Sequence, residues 1–341
     1  MDVIEQDKYS WEKNLLKFNH SIFMCPDWIE AMSDAWKIPF FIDFVEGGET
    51  QGKLSGLIVN NTGWQGTMLF AYAGPALIEP QKSTLNKCLI ALRHFATSHK
   101  LNRIIIASYD QPYNISTSAK GFYATSRYEF DLNINSESTN NYSGRYIKNL
   151  KKARKSNAFS TFHSGSEESI RDLIALLQKT RSIRTSKARN SYDPLFLPHL
   201  TKKSLNKLIQ KPLTNIQHIN INGITVCVGI ELKYKKKSTI LLVGMIGDGY
   251  KKGLSALLFD SFIRQAQEES IININLGGIP TGQDGKNLAI FKESIGARKR
   301  MVHGATTNFL TYPHKLLNPL MKLGRFLQKN KIFLFITKII D

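Results

Sequence analysis

Short apolar runs with a period of two recur along the chain. They are separated by turn residues and by stretches whose apolar positions fall three and four apart. The runs PFFIDFV (39–45), KLSGLIV (53–59), TMLFAYA (67–73), RIIIAS (103–108) and YEFDL (128–132) read as strands. Two helical patterns accompany them. SIFMCPDWIEAMSDAW (21–36) starts at Pro26 and Asp27 and sets Trp28, Ile29, Met32 and Trp36 on one stripe. STLNKCLIALRHFATS (83–98) gathers Leu85, Leu89, Ala91, Leu92 and Phe95 near one face.

A polar passage, INSESTNNYS (134–143), interrupts the pattern. A basic helix follows over 144–157, then the strand FSTFH, helices over 166–184 and 194–209, and three strands at 216–221, 224–234 and 239–246. A helix over 254–268 and a strand over 272–276 complete the set. The order helix, strands, helix, strand thus occurs twice, with hairpin-sized links and no sequence repeat. This predicts an α/β (α+β) protein of two tandem domains, with mixed, mostly antiparallel sheets flanked by helices. The expected limits are 1–138 and 139–312, followed by a tail over 313–341 that interleaves basic and bulky apolar residues.

The length of 341 residues suits two domains, and 42% hydrophobic with 21% charged residues is globular composition. Net charge is +19, which points to nucleic acid, nucleotide phosphates or an anionic membrane as partners. Cys25, Cys88 and Cys227 are far apart and form no CxxC or Cys/His cluster, so no metal site and no disulfide framework is expected. A reducing cytoplasm fits this usage. The acidic, polar start MDVIEQDKYSWEKN is no signal peptide, and no apolar run approaches the length of a bilayer span.

Three stretches carry candidate chemistry. In VGMIGDGYKKGLSALLF a strand meets a glycine-rich turn and then a helix. Glycine backbone at a helix start, with Lys251 and Lys252 beside it, can receive an anion. In INLGGIPTGQDGKNLAIFKESIGA a strand stops on Gly277 and Gly278, where bare backbone admits a ligand at a sheet end. A short helix over 287–292 would then turn Leu288, Ile290 and Phe291 inward and set Lys292 at the edge of the cleft, able to hold a phosphate or stabilise an oxyanion. In the basic helix, Arg145, Lys148, Lys152 and Lys155 share one face, opposite Tyr146, Ile147, Leu150 and Ala153, and suit polyphosphate or RNA backbone. Each feature also has a plain structural reading, as a turn, a core residue or a solvated charge.

Tyr250-Lys-Lys-Gly253-Leu-Ser255 resembles the pyrophosphate loop of the GNAT acyltransferase superfamily, with Gly253 matching, Ser255 as a small substitute and Tyr250 in place of the usual Arg or Gln. The stretch with Leu276, Gly277, Gly278, Phe291, Lys292 and Gly296 resembles the C-terminal signature of the Fem family, whose members add amino acids to peptidoglycan precursors; Asn275 stands where an acid is usual. GFYATSRYEFDL (121–132), GRYIKNLKKARK (144–155) and SIFMCPDWIEAM (21–32) resemble three further Fem segments in the same order. The resemblance covers about residues 20–310. It implies two tandem GNAT-like domains, with Phe291 and Lys292 near the acceptor and the reaction centre.

These readings converge on an N-acyltransferase that forms an amide on an amine of a cell-envelope precursor, either an amino sugar or a peptide stem. No Ser-His-Asp or Cys-His pattern calls for a covalent enzyme intermediate. Lys292 and Phe291 are the expected catalytic residues, with backbone N–H groups near 245–246 as further oxyanion donors. Tyr250, Lys251, Lys252, Gly253 and Ser255 are expected to bind the donor. Asn275, Gly277, Gly278, Arg145, Lys148 and Lys152 are expected to bind substrate. No permanently bound cofactor is expected; the co-substrate is an acyl-CoA, slightly favoured, or an aminoacyl-tRNA. Expected partners are a phosphate-bearing envelope precursor, tRNA and an anionic membrane surface, with the protein in the cytoplasm or at the inner membrane face. Oligomeric state stays open. The alternative is a non-catalytic basic protein of the same fold that docks on RNA or membrane.

Overall fold

The computed structural model describes residues 1–60, 66–135, 137–163, 166–188, 195–280 and 283–329. In chain order its elements are β1 (Asp2–Glu5), α1 (Lys8–Lys13), α2 (Pro26–Met32), β2 (Lys37–Glu46), β3 (Glu49–Val59), β4 (Met68–Ala71), β5 (Ala76–Leu77), α3 (Lys82–Ser98), β6 (Arg103–Ile106) and β7 (Phe122–Asn133). Then come α4 (Gly144–Lys155), β8 (Phe159–His163), α5 (Glu167–Ala188), α6 (Lys202–Leu208), β9 (Thr214–Ile221), β10 (Ile224–Tyr234) and β11 (Lys237–Met245). The remainder is α7 (Gly249–Lys252), α8 (Leu254–Glu268), β12 (Asn273–Gly278), α9 (Gln283–Ser294), β13 (Arg298–Thr307) and α10 (Asn318–Lys329).

The chain packs into two compact units. Among the described residues, the first holds Met1–Ile29, Ser33–Ser126 and those from Val302 to Lys329, and the second holds Glu30–Met32 and Arg127–Met301. The polar passage at 134–143, expected to divide the domains, lies inside the second unit. The C-terminal return to the first unit runs through β13, which the apolar pattern did not reveal because arginine and lysine fill its first half.

In the first unit β2 and β3 form a hairpin closed by Gly47-Gly48, both at positive φ, as a tight two-residue turn requires. β3 then pairs with β4 antiparallel, and β4 pairs with β6 in parallel. α3 buries Leu85, Cys88, Leu89 and Leu92. Asp43 and Lys53 face each other across β2 and β3 and form an ion pair of 2.7 Å, both nearly excluded from solvent, with Trp11 and Phe18 rings over the ammonium. Trp36, expected on a buried stripe, is exposed, because α2 ends at Met32 and the chain turns into β2.

In the second unit β8, β9, β10 and β11 follow one another antiparallel, and β12 pairs parallel to β11 and antiparallel to β7. Asn222-Gly223 closes the β9–β10 hairpin with both residues at positive φ. Two glycines admit the covering helices. A Cβ on Gly229 of β10 would meet Leu258 and Phe262 of α8, and one on Gly244 of β11 would meet Leu173, Leu176 and Leu177 of α5. Gly244 is paired with Val228, the neighbour of Gly229, so α8 and α5 lie on opposite faces of the sheet. The expected helix over 194–209 is shorter, Lys202–Leu208, with its start fixed by a Thr201–Ser204 capping box; residue 194 lies outside the described residues.

Removing one member of the desolvated Asp43–Lys53 pair leaves the other charge buried. Lys53→Met is therefore expected to cost about 3 kcal/mol or more, while Lys53→Met with Asp43→Leu recovers most of the loss. Urea unfolding followed by tryptophan fluorescence reads both, and equal losses in the two variants would contradict the pairing.

Candidate active site

The site is built where β11 and β12 part. Their parallel pairing runs from Lys237–Asn273 to Thr239–Asn275, yet β11 continues to Met245 and β12 to Gly278. On its other side β12 carries a bulge. Asn275 pairs with Asp131 and Gly278 with Glu129, so β12 spends one residue more than β7 over the same span. Gly277 sits in the bulge at φ +75, a conformation that costs an L-residue about 1 kcal/mol or more. At Gly278 a Cβ would lie 2.5 Å from an Arg127 guanidinium nitrogen and 3.1 Å from the Tyr128 carbonyl oxygen.

α9 holds this bulge from one side. The Lys292 ammonium donates to the Gly277 carbonyl at 2.8 Å and to the Gly278 carbonyl at 2.7 Å, and it lies over the Phe130 ring at 5.4 Å. Lys292 is 3% exposed, so the expectation of a solvated lysine at a cleft edge is corrected: the side chain turns inward to the backbone. Phe291, one residue earlier, packs against Phe259 of α8 and Tyr146 of α4. Gly296, at φ +96, ends the segment after α9. The Gly-Gly…Phe-Lys…Gly spacing is therefore a mechanical unit, in which Phe291 fixes α9 and Lys292 fixes the bulge.

Around the ammonium lies a buried polar cluster. The Glu129 carboxylate accepts from the Asn275 amide at 2.9 Å and is paired with Arg127 at 3.2 Å and Arg300 at 3.4 Å. Arg300 also pairs with Asp131. Asn275 itself is fully used: its carbonyl accepts from the Gly277 N–H at 2.7 Å. An acid at position 275 would put a second carboxylate against buried Glu129, so the amide is the residue that this cluster calls for. Burial pulls the Lys292 ammonium down to about 7, against the pull of the Glu129 carboxylate, with Arg127 adding to the descent. Arg127, Glu129, Asp131 and Arg300 were not singled out from the sequence. The signal was present in the period-two alternation RYEFDL, where charged residues alternate with Tyr128, Phe130 and Leu132.

The expected donor loop has a different construction. α7 leads directly into α8 through Gly253, which is buried at φ +77; a Cβ there would lie 2.1 Å from the Asn149 carbonyl of α4. The glycine thus lets α4 cross the α7–α8 junction, while Tyr250, Lys251 and Lys252 stay exposed and Ser255 is half-buried. On α4, Tyr146, Leu150 and Ala153 are buried and Arg145, Lys148, Lys152 and Lys155 exposed, as expected; Ile147 is exposed, contrary to expectation. The Tyr146 hydroxyl donates to the Ala256 carbonyl at 2.7 Å and fastens α4 to α8. Lys148 and Lys152 flank the Asn149 contact, so they and the α7 lysines belong to adjoining elements of one unit. Cys25, Cys88 and Cys227 are buried, and no cluster of metal-ligating side chains occurs among the described residues.

No family model matches the sequence, and no curated protein matches it. Solved structures do match the fold. FemX superposes with a TM-score of 0.68 over 95% of this chain and 99% of FemX, at 12% identity. A conserved protein of unknown function from Bacteroides thetaiotaomicron VPI-5482 gives 0.59 over 89% of this chain and 98% of its own, at 10% identity. L-PGS from Bacillus licheniformis gives 0.54 over 88% and 92%, at 13% identity. The chain shares its fold with FemX, and the α/β architecture in two units, with mixed, mostly antiparallel pairing flanked by helices, that the sequence led us to expect is the one observed.

A lysine whose ammonium is destabilised in the folded state binds its proton less tightly there than in the unfolded chain. Stability then rises with pH between the folded value near 7 and the ordinary lysine value, and the burial penalty is fully present below that window. The stability of the natural protein minus that of Lys292→Met is expected to grow by up to about 1 kcal/mol per pH unit from pH 7 to 9. Urea titrations at several pH values check this; a flat difference would refute a buried, weakly basic Lys292.

Proposed function

We propose that the protein is an N-acyltransferase that forms an amide on an amine of a cell-envelope precursor. The observation that carries this reading is the parting of β11 from β12 beside a glycine bulge, within a fold shared with FemX over nearly the whole chain. Two strands that diverge open a slot with unpaired backbone, which can orient a carbonyl and its attacking amine. The amine attacks the carbonyl of a thioester or ester and passes through a tetrahedral oxyanion. The C–N bond forms as the C–S or C–O bond breaks, and the proton lost by the amine passes to the leaving thiolate or alkoxide, directly or through water.

In this reading Lys292 acts as a positioning residue, holding the carbonyls of Gly277 and Gly278 so that the bulge keeps its shape beside the acceptor. Phe291 supports it through α9, and Asn275 fixes the bulge N–H. The exposed cations Arg145, Lys148 and Lys152 of α4, expected from the sequence to bind substrate, adjoin Lys251 and Lys252 of α7 and with them receive the phosphates of the donor, an acyl-CoA or an aminoacyl-tRNA. Tyr250 and Ser255 flank that surface. The acceptor is a phosphate-bearing precursor met at the cytoplasmic face of the membrane. One observation favours a second reading, a non-catalytic binding protein: Gly253, the expected cradle glycine, is occupied by contact with α4. Product formation separates the two.

Incubation with acetyl-CoA or mixed aminoacyl-tRNA and amino-sugar or peptide-stem acceptors should yield an amide by mass spectrometry. Replacing Lys148, Lys152, Lys251 and Lys252 together by Ala should raise the KM for the donor by about tenfold or more with kcat little changed. Absence of product with either donor class would sink the enzyme reading, and an unchanged KM would remove these lysines from donor binding.

A further inference from the structure

The segment after β13 places apolar side chains in water in a regular row. Leu316 is 69% exposed, Leu320 58% and Leu323 54%, a spacing of four and three that puts them on one side of the 314–325 helical segment. Tyr312, 70% exposed, precedes them. A soluble helix ordinarily turns such a stripe toward the core.

The inward side holds half-buried Leu317 and Met321 and is fastened by polar contacts. The Asn318 side chain accepts from the Phe309 N–H and donates to the Phe309 carbonyl, both at 2.9 Å. The Arg325 guanidinium lies 3.8 Å from the centre of the Tyr123 ring and donates to Asn308, whose amide in turn donates to the Tyr123 hydroxyl at 3.0 Å. The helix is thus docked on its own unit through Asn318, Arg325 and the half-buried side and shows Leu316, Leu320 and Leu323 outward. Residues 313–325 pack on their own unit and still present leucines to water; residues 330–341 lie outside the described residues.

The charge around the row selects its occupant. Lys315 and Lys322 are exposed beside the leucines. From Ala297 to Ile340 the sequence contains no Asp or Glu. Leucines flanked by lysines, without an acid, match a bilayer surface in which acyl chains lie beneath anionic headgroups. Among the described residues no helix is long and apolar enough to cross a membrane, so the contact is one of lying on the surface.

We propose that the Leu316–Leu320–Leu323 face, with Lys315 and Lys322, is an interfacial docking surface for an anionic lipid bilayer. The leucines enter the headgroup boundary, the lysines meet lipid phosphates, and the first unit is held against the membrane. This inference stands independently of the transferase reading and of which donor is used.

The test is co-sedimentation of the full chain with vesicles of phosphatidylglycerol and phosphatidylcholine in equal parts, and with phosphatidylcholine alone. The natural protein is expected to sediment with the anionic vesicles at least about tenfold more tightly than with the neutral ones. Leu316→Ser with Leu320→Ser and Leu323→Ser is expected to lose about tenfold or more in vesicle affinity, with its circular dichroism unchanged because the three side chains are exposed. Lys315→Glu with Lys322→Glu should show the same loss on anionic vesicles. A natural protein that stays in the supernatant overturns the proposal, as does a triple serine variant that sediments like the natural protein. Sedimentation velocity without lipid supplies the remaining outcome: an oligomer that the serine variant dissolves would assign the row to a second copy of the chain and overturn the membrane assignment.

Discussion

One buried ammonium organises the candidate active site. The Lys292 Nζ binds two successive backbone carbonyls, those of Gly277 and Gly278, from a helix that follows the strand it grips. Consecutive carbonyls of an ordinary strand point to opposite edges, so one donor cannot reach both. A bulge with Gly277 at positive φ brings them to the same side. The lysine and the bulge therefore require each other. Burying a cation this deeply is costly, and the two carbonyls, Glu129 and the Phe130 ring offset part of that cost. The lysine nitrogen lies beside the place where β12 leaves β11.

The surrounding residues follow from that constraint. The Glu129 carboxylate meets Arg127 and Arg300, and its neighbour Asn275 serves as a donor to it and as an acceptor for the bulge N–H. Arg127 fills the space that a side chain at position 278 would need. α9 must not rotate or slide, and Phe291 locks it against α4 and α8. α4, in turn, can approach α8 only because position 253 lacks a Cβ. A chain of close contacts thus links the exposed lysine surface of α4 and α7 to the buried lysine at the strand opening.

Much of this was legible in the sequence, and its limits have physical reasons. Hairpins with Gly-Gly and Asn-Gly turns, and helices with a clear apolar stripe such as α8, were legible from local pattern, because burial on one face leaves a period behind. β13 escaped because its leading residues are cationic, and with it went the return of the chain to the first unit. Trp36 and Ile147 were placed inside because they are large and apolar, yet Trp36 lies past the end of α2 and Ile147 lies on the exposed face of α4. The Phe-Lys pair was found, but its direction was not. A helix extended to Gln283–Ser294 turns Lys292 toward β12, and no short-range pattern encodes which carbonyls a lysine will find. Glu129 and Arg300 lie 171 positions apart and meet only in the fold.

Lys292 holds the bulge in shape beside β11. Native-state hydrogen exchange on the natural protein and on Lys292→Met tests it most directly. Faster exchange in the variant, confined to the amides of residues 275–279 and their β7 and β11 neighbours and with the β9–β10 hairpin unchanged, is the predicted result. Identical protection of those amides in both proteins would contradict it, because the bulge would then keep its shape without the ammonium.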